Sequence, residues 1–266
     1  MSAEISRRFF LGLPIPALLF APAALAAEAE RTTRKYEANI SVLFDLLRFT
    51  LAGTVTAEID RAAGRYRVTM NGTGPGLTAQ THCTGTIRDG RFMPLETRSF
   101  HTLRGRENRV ELTYDYGGQV VEYHAVSYTF LLGRRRQVDD LVRLAPGQHV
   151  DDLISAELNF AAGMLEADPD GRFRITVVRR ARPDNEDPDE VSAAGYRAEL
   201  ATIRFRAAPD AATGRLTALV DLTGFSSWAR ANQPARVAFA PDRHLESVTS
   251  SLILGTKFTL HLTPAS

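Results

Sequence analysis

Six histidines and one cysteine are the side chains of this sequence best suited to metal binding or nucleophilic catalysis. His82 and Cys83 are adjacent, and neighbours on a strand point to opposite faces, so the two do not readily hold the same ion. A single cysteine excludes an internal disulfide and a cysteine-rich zinc or iron–sulfur site. A metal site assembled from distant strands stays open. The histidines are His82, His101, His124, His149, His244 and His261.

No segment carries a complete catalytic or ion-binding motif. The nearest approach to the hydrolase motif G-x-S-x-G is the run 224–228 (GFSSW), which lacks the second glycine. Asp152 and Ser155 would share a helix face, but at a helix start this pair predicts capping. The acidic turns 168–171 and 184–190 lack the spacing of the twelve-residue calcium loop. We therefore assign no catalytic, cofactor-binding or metal-binding residue and expect no cofactor.

The charge balance argues against nucleic acid as a partner. The chain has 266 residues, with 32 Lys+Arg against 31 Asp+Glu, whereas nucleic-acid binders normally carry a basic excess. Its 44% hydrophobic and 24% charged residues are typical of a globular protein. The basic residues are almost all arginine, which a GC-rich genome explains. The run Arg134-Arg135-Arg136 could contact anionic lipid or an acidic partner, but a solvated loop is the simpler interpretation.

The N-terminus predicts export. Arg7 and Arg8 directly precede an apolar run that reaches Leu25 and is interrupted by three prolines, so a transmembrane helix is not expected. The run ends in a small-x-small pattern, and we predict cleavage near Ala26. The paired arginines favour a twin-arginine signal over an ordinary secretory signal. Residues 27–266 would then form a single periplasmic β-rich domain without a transmembrane segment.

Apolar and polar residues alternate with period two along most of this domain. In residues 48–60 the apolar side chains fall on one face of a strand, as in a half-buried β-strand. The same alternation recurs in residues 66–70, 110–116, 173–177, 216–222 and 254–262. The pattern predicts a mainly-β fold, in which a dozen or so antiparallel strands curl into a barrel or form two packed sheets.

Glycine-containing dipeptides between these segments predict turns. They are Ala63-Gly64, Asn71-Gly72, Asp89-Gly90, Gly117-Gly118, Asp170-Gly171 and Thr213-Gly214. A two-residue loop at Asp89-Gly90 would place Ile87 opposite Phe92 and His101 opposite Thr78.

A second hairpin register follows from Gly117-Gly118. It pairs Leu112 with Tyr123, Tyr114 with Val121, and Glu111 with His124. Apolar residues meet apolar residues and polar meet polar, as a correct register requires. Glu111 and His124 could act as an acid–base pair, although a surface cross-strand pair is the simpler interpretation.

Two segments depart from regular alternation. The apolar phase changes between Leu200 and Ile203, which predicts a β-bulge near residues 201–202. Residues 151–162 begin with two aspartates and are followed by Gly163, which predicts one short helix. We expect this helix to pack over one mouth or edge of the sheet.

The order of several short motifs resembles an exported bacterial family known as domain of unknown function 3108. The matching segments are Tyr36-Glu37-Ala38 and residues 53–57, 65–68, 74–77, 84–94, 152–155 and 245–262. The acidic loop 184–190 looks like an insertion. The resemblance implies an exported, β-rich, barrel-like protein of the cell envelope, and it implies no reaction.

Two classes of function fit these observations. The first is a non-catalytic envelope protein whose barrel interior or concave sheet binds an apolar or amphiphilic ligand, or a partner protein. If this function is correct, we expect an apolar cavity of several hundred Å³ in the fold. The alternative is a hydrolase-type periplasmic enzyme whose site assembles only in the fold. A purely structural role is a third option.

Overall fold

The computed structural model describes residues 29–264 except 43, 45, 104, 130–131, 182–188, 190, 193–194, 224–228 and 231. The predicted export signal, the serine-containing run 224–228 and nearly all of the acidic loop 184–190 therefore lie outside the described residues. Among the residues described, no helix combines the length and the apolar character needed to span a membrane.

The described chain is mainly β, as the alternation predicts. The first eight strands are β1 (Glu30–Val42), β2 (Leu47–Asp60), β3 (Arg65–Gly74), β4 (Leu77–Arg88), β5 (Arg91–Leu103), β6 (Arg106–Asp115), β7 (Val120–Tyr128) and β8 (Arg135–Arg143). The helix α1 (Leu153–Ala161) follows. The remaining strands are β9 (Phe173–Arg180), β10 (Ala198–Phe205), β11 (Ala207–Pro209), β12 (Leu216–Val220), β13 (Ala235–Phe239), β14 (Leu245–Ser251) and β15 (Lys257–Pro264), with a 3₁₀ turn at Ile253–Gly255.

Thirteen strands form one antiparallel sheet in the order β11-β12-β13-β14-β15-β1-β2-β3-β4-β5-β6-β7-β8. β9 and β10 form a separate two-stranded sheet. β10 lies against β8, which is one edge of the large sheet, and against β12, which is next to the other edge. The large sheet must therefore curl, although its edge strands are not hydrogen-bonded to each other. We call the face that meets α1 and the small sheet the inner face.

The predicted helix and its cap are confirmed. Asp152 is the N-cap, and its carboxylate accepts a hydrogen bond from the Ser155 backbone N–H at 2.6 Å. In return the Ser155 hydroxyl accepts from the Asp152 N–H at 2.9 Å, which completes a capping box. Leu158 packs with residues of β2–β5, while Phe160 packs with β9, β10 and β13. The helix therefore fills the inner face between the two sheets.

The expected turn at Asn71-Gly72 is wrong, because β3 runs through it and the chain reverses at Pro75-Gly76. Gly72 lies opposite Gly53 of β2, and Gly53 lies opposite Tyr36 of β1. A Cβ on Gly72 would collide with the Tyr36 hydroxyl. Gly72 is therefore needed for the close approach of an aromatic ring across the sheet.

Both predicted hairpin registers are confirmed near their turns. The pairs are Ile87–Phe92, Leu112–Tyr123, Tyr114–Val121 and Glu111–His124. Farther from the Asp89-Gly90 turn, His101 lies opposite Ala79, so the expected partner Thr78 is wrong by one residue. The cause is a β-bulge in β5, where Leu95 has no partner on β4 and shifts the later pairs.

The bulge predicted near residues 201–202 is also wrong. β10 pairs with β9 over its whole length without a register shift. The apolar phase changes because β10 is packed on both faces. Leu200 packs with the cluster formed by β6–β8, whereas Ile203 and Phe205 pack with Phe160 of α1.

A tightly packed glycine gives a stability prediction. Gly85 lies opposite Tyr66, and a Cβ there would collide with the Met93 carbonyl oxygen and lie 2.5 Å from the Tyr66 ring. We expect Gly85→Ala to lower the free energy of unfolding by about 1–3 kcal/mol in chemical denaturation. Gly117→Ala is the control, because its Cβ would have its nearest neighbour at 3.4 Å. Equal effects of the two substitutions would contradict the packing role of Gly85.

Candidate functional site

A polar cleft of about 400 Å³ opens between the start of β5, the loop 146–151 and the strands β9 and β10. Its charged and titratable side chains are Arg91, His149, Asp151, Glu166, Arg174 and Arg204. A second, smaller cleft of about 290 Å³ is lined by Arg106, Glu107, Arg109 and Arg135, among others. Both clefts are lined by charged residues, so the apolar cavity expected from the sequence is neither of them.

One wall of the polar cleft is a buried ion pair. Arg91 donates to the Asp151 carboxylate at 2.7 Å and to the Met164 carbonyl oxygen at 2.8 Å. Asn159 of α1 donates to the other Asp151 oxygen at 2.9 Å. The Asn159 amide also pairs with both backbone groups of Phe92, at 2.8 Å each. These contacts join β5 to α1 and to the segment that precedes it.

Burial and neighbouring charges shift the pKa values of the titratable side chains in the cleft. It raises the pKa of Asp151 to about 6, although the positive charge of Arg91 opposes the shift. Burial and the charge of Arg91 lower the pKa of His149. A hydrogen bond from Arg174 lowers the pKa of Glu166, so that carboxyl group is ionised over a wider pH range.

Two arginines form the opposite wall. Arg174 of β9 lies directly opposite Arg204 of β10, where like charges repel. Asp168 offsets part of this repulsion, with its carboxylate 3.2 Å from Arg204 Nε and 3.7 Å from Arg174 Nη1. Thr176 and Thr202 form the next cross-strand pair on the same face and also line the cleft.

Cys83 belongs to a different, fully buried polar cluster. Its thiol donates to the Asp152 carboxylate at 2.9 Å, and the Thr97 hydroxyl donates to the same oxygen. Burial raises the pKa of the Cys83 thiol, and the charge of Asp152 raises it further. The thiol is therefore protonated and shielded from solvent. The Ser155 hydroxyl is committed to the capping box, so neither side chain is an available nucleophile.

A separate part of the inner face is apolar. Tyr36, Ala38, Leu51, Leu77 and Leu262 are buried there and pack against eight hydrophobic side chains that are only half-buried. Those eight are Phe49, Val55, Met70, Ala79, Leu103, Leu245, Phe258 and Leu260. No described residue of α1, β9 or β10 belongs to this set, which we call the apolar inner surface.

Polar groups border the apolar inner surface. The Tyr36 hydroxyl is buried and has no hydrogen-bond partner among the described residues. His101 lies two residues from Leu103 on the same strand face, yet its side chain is exposed. Thr81 and Ser99 share a hydrogen bond of 3.0 Å nearby.

The fold does not bring the histidines together. His82 bonds with Thr69, His124 with Asp139, and His244 with Glu157, whereas His149 lines the polar cleft. His124 therefore pairs with β8 and not with Glu111, although Glu111 lies opposite it. No group of three or more potential metal ligands occurs in the described ranges.

Two other predicted features are placed by the structure. In the acidic turn 168–171, the Asp168 carboxylate binds arginine side chains. Of the arginine run, Arg135 and Arg136 begin β8 and Arg136 is buried, so the expected solvated loop is wrong for those two residues.

Sequence reasoning missed four of the charged residues of the polar cleft: Arg91, Glu166, Arg174 and Arg204. Alternation along β9 places Arg174 and Thr176 on one face, which is a usable local signal. Nothing in the sequence indicates that β10 pairs with β9 in a register that adds Arg204.

Comparisons with known proteins find little. No protein-family model matches the chain, and no curated protein matches it. One similar solved structure is a beta-barrel-like protein of domain of unknown function DUF1849 from Brucella abortus. It is 12% identical, and the match covers 90% of this chain and 97% of that one, with a TM-score of 0.38. Membership of family 3108 stays a prediction.

The raised pKa of Asp151 gives a pH prediction. The folded protein holds this proton more tightly than the unfolded chain, whose carboxyl group titrates near 3.8. Protonation of Asp151 therefore stabilises the folded protein. This stabilisation is complete below about pH 4 and is lost as the pH rises through about 6. Relative to Asp151→Asn, the wild type should therefore lose about 3 kcal/mol of unfolding free energy between pH 4 and 7.

The measurement is urea unfolding of both proteins across this pH range. Taking the difference cancels the titration of groups that the two proteins share. A difference that stays constant, or that favours the wild type increasingly as the pH rises, would contradict the raised pKa.

Proposed function

We propose that this chain is an exported, non-catalytic binding protein of the periplasm that holds an amphiphilic molecule with an acyl chain. The observation that carries the proposal is the apolar inner surface, whose eight half-buried side chains lie on the inside of a curled sheet. Covering such side chains is favourable by about 25 cal/mol per Å² of apolar area removed from water. The N-terminal motif and the resemblance to family 3108 support export.

The polar groups at this surface favour an amphiphile over a purely apolar ligand. The Tyr36 hydroxyl is buried against Gly72 without a partner among the described residues, so it lies beneath this surface and is not itself open to a ligand. His101, whose side chain is exposed on this face, is the polar group that a ligand can reach. A mostly apolar lining with a few convergent polar groups is typical of small-molecule sites.

The hydrolase alternative has less support. The Cys83 thiol donates to the Asp152 carboxylate and the Ser155 hydroxyl bonds to the Asp152 backbone, and both residues are buried. A partner protein, the other occupant expected from the sequence, would need an outward surface that matches it.

Ligand binding can be measured with cis-parinaric acid, a fluorescent fatty acid. The wild type should enhance its fluorescence, because the apolar inner surface removes the chain from water. We expect Met70→Trp to weaken binding by about tenfold or more, because the larger side chain occupies the space of the ligand. Leu219→Trp is the matched control, because Leu219 is 61% exposed and lies outside this surface.

Two outcomes would overturn the binding proposal. One is the absence of binding by the folded wild type, together with no lipid in its solvent extract by mass spectrometry. The other is equal binding by both tryptophan variants. Circular dichroism and unfolding midpoints identify a variant that has lost its fold, and Val55→Trp then replaces Met70→Trp.

Export has an independent test. Replacing Arg7 and Arg8 by lysine keeps both positive charges, which an ordinary secretory signal tolerates and a twin-arginine signal does not. We expect the double variant to accumulate in the cytoplasm and the wild type in the periplasm, as seen by cell fractionation. Normal export of the double variant would contradict the twin-arginine route.

A further inference from the structure

We infer that the polar cleft is a second binding site, which takes a small molecule carrying a phosphate group. Three arginine side chains line it with the two carboxylates of Asp151 and Glu166, and Asp168 contacts Arg174 and Arg204 from beside the lining. Each carboxylate already has its own arginine: Asp151 is paired with Arg91, and Glu166 with Arg174. The third arginine, Arg204, is paired among the described residues through its Nε alone, with Asp168 beside the lining.

The hydrogen-bond donors of Arg204 support this assignment. Its Nε–H donates to Asp168 at 3.2 Å, and its two terminal nitrogens have no acceptor among the described residues. An arginine fork with free terminal N–H groups suits the oxygens of a phosphate. The side chain is 54% exposed, so a ligand can reach it without displacing the fold.

The strand pairing concentrates further donors at the same place. Arg174 lies directly opposite Arg204, an arrangement that costs stability unless an anion compensates for it. Asp168 supplies one such anion at the side of the pair, and a phosphate in the cleft would supply another. Thr176 and Thr202 form the next cross-strand pair on the same face, and their hydroxyls make no hydrogen bond to the described residues.

The wall of the cleft that contains the Arg91–Asp151 ion pair adds further hydrogen-bond donors. Arg91 uses one terminal nitrogen for Asp151 and the other for Met164, and the remaining N–H groups are not committed. His149 lies on the same wall. Donors that converge from several directions suit a tetrahedral oxyanion better than a planar carboxylate. The cleft volume of about 400 Å³ also leaves room for an organic part.

The test is isothermal titration calorimetry of the full folded chain in phosphate-free buffer. The probes are inorganic phosphate, glycerol 3-phosphate and dihexanoyl phosphatidic acid, which share the phosphate group and differ in what it is attached to. We expect Arg204→Gln to weaken binding by about tenfold or more, which corresponds to the loss of a charge-assisted hydrogen bond. Arg215→Gln is the control, because Arg215 is similarly exposed but pairs with Glu246 outside the cleft.

The probes separate the sources of the phosphate. Binding of the two probes without acyl chains points to a free phosphate compound, and binding of the lipid alone points to a headgroup. In either case the affinity must depend on Arg204. No binding of any probe at millimolar concentration, or equal binding by Arg204→Gln and the wild type, overturns the inference. Met70→Trp should keep phosphate binding while losing cis-parinaric acid, so failure at one site does not imply failure at the other.

Discussion

The ion pair between Arg91 and Asp151 is the contact on which the arrangement of the two sheets depends. It connects the start of β5 to the segment that leads into α1, and Asn159 and Met164 extend it to the helix and to the chain that follows. Burying such a pair costs several kcal/mol unless the remaining polar atoms are bonded. Here both Asp151 oxygens have donors, so the pair can be buried without orphaned oxygens. Its geometry holds α1 against β5.

That position of α1 also explains how the sheet curls without closing. Thirteen strands leave two edges, and exposed edges invite pairing with other chains. β10 lies between these edges and is packed on both faces, with Leu200 towards β8 and Phe205 towards the helix. The small sheet thus covers the gap by side-chain packing and by a hydrogen bond from the Ala198 N–H to the Asp140 carboxylate of β8, without a ladder of backbone hydrogen bonds in the described part of the chain.

The features that the sequence predicts are those set by neighbouring residues. Alternation, the capping box of Asp152 and the hairpin pairs next to a tight turn all follow from local backbone geometry. The wrong predictions occur where the structure depends on contact with a strand that is distant in the sequence. Asn71-Gly72 has the composition of a turn, but Gly72 is needed because the Tyr36 ring packs against it. Leu95 has no partner on β4, which shifts the partner of His101 by one residue. The polar cleft was missed for the same reason, because Arg174 and Arg204 meet only through strand pairing.

Some buried polar residues stabilise the fold, whereas other polar residues are not required by it. The Asp152 carboxylate is buried and accepts from Ser155, Thr97 and Cys83, so the lone cysteine is a small hydrogen-bond donor in a structural network. The exposed His101 side chain and the terminal nitrogens of Arg204 have no such structural role. Polar atoms that the fold positions but does not use are the ones left to meet a ligand. His101 lies beside apolar side chains and Arg204 lies among cations, and this difference in surroundings leads to two ligand chemistries.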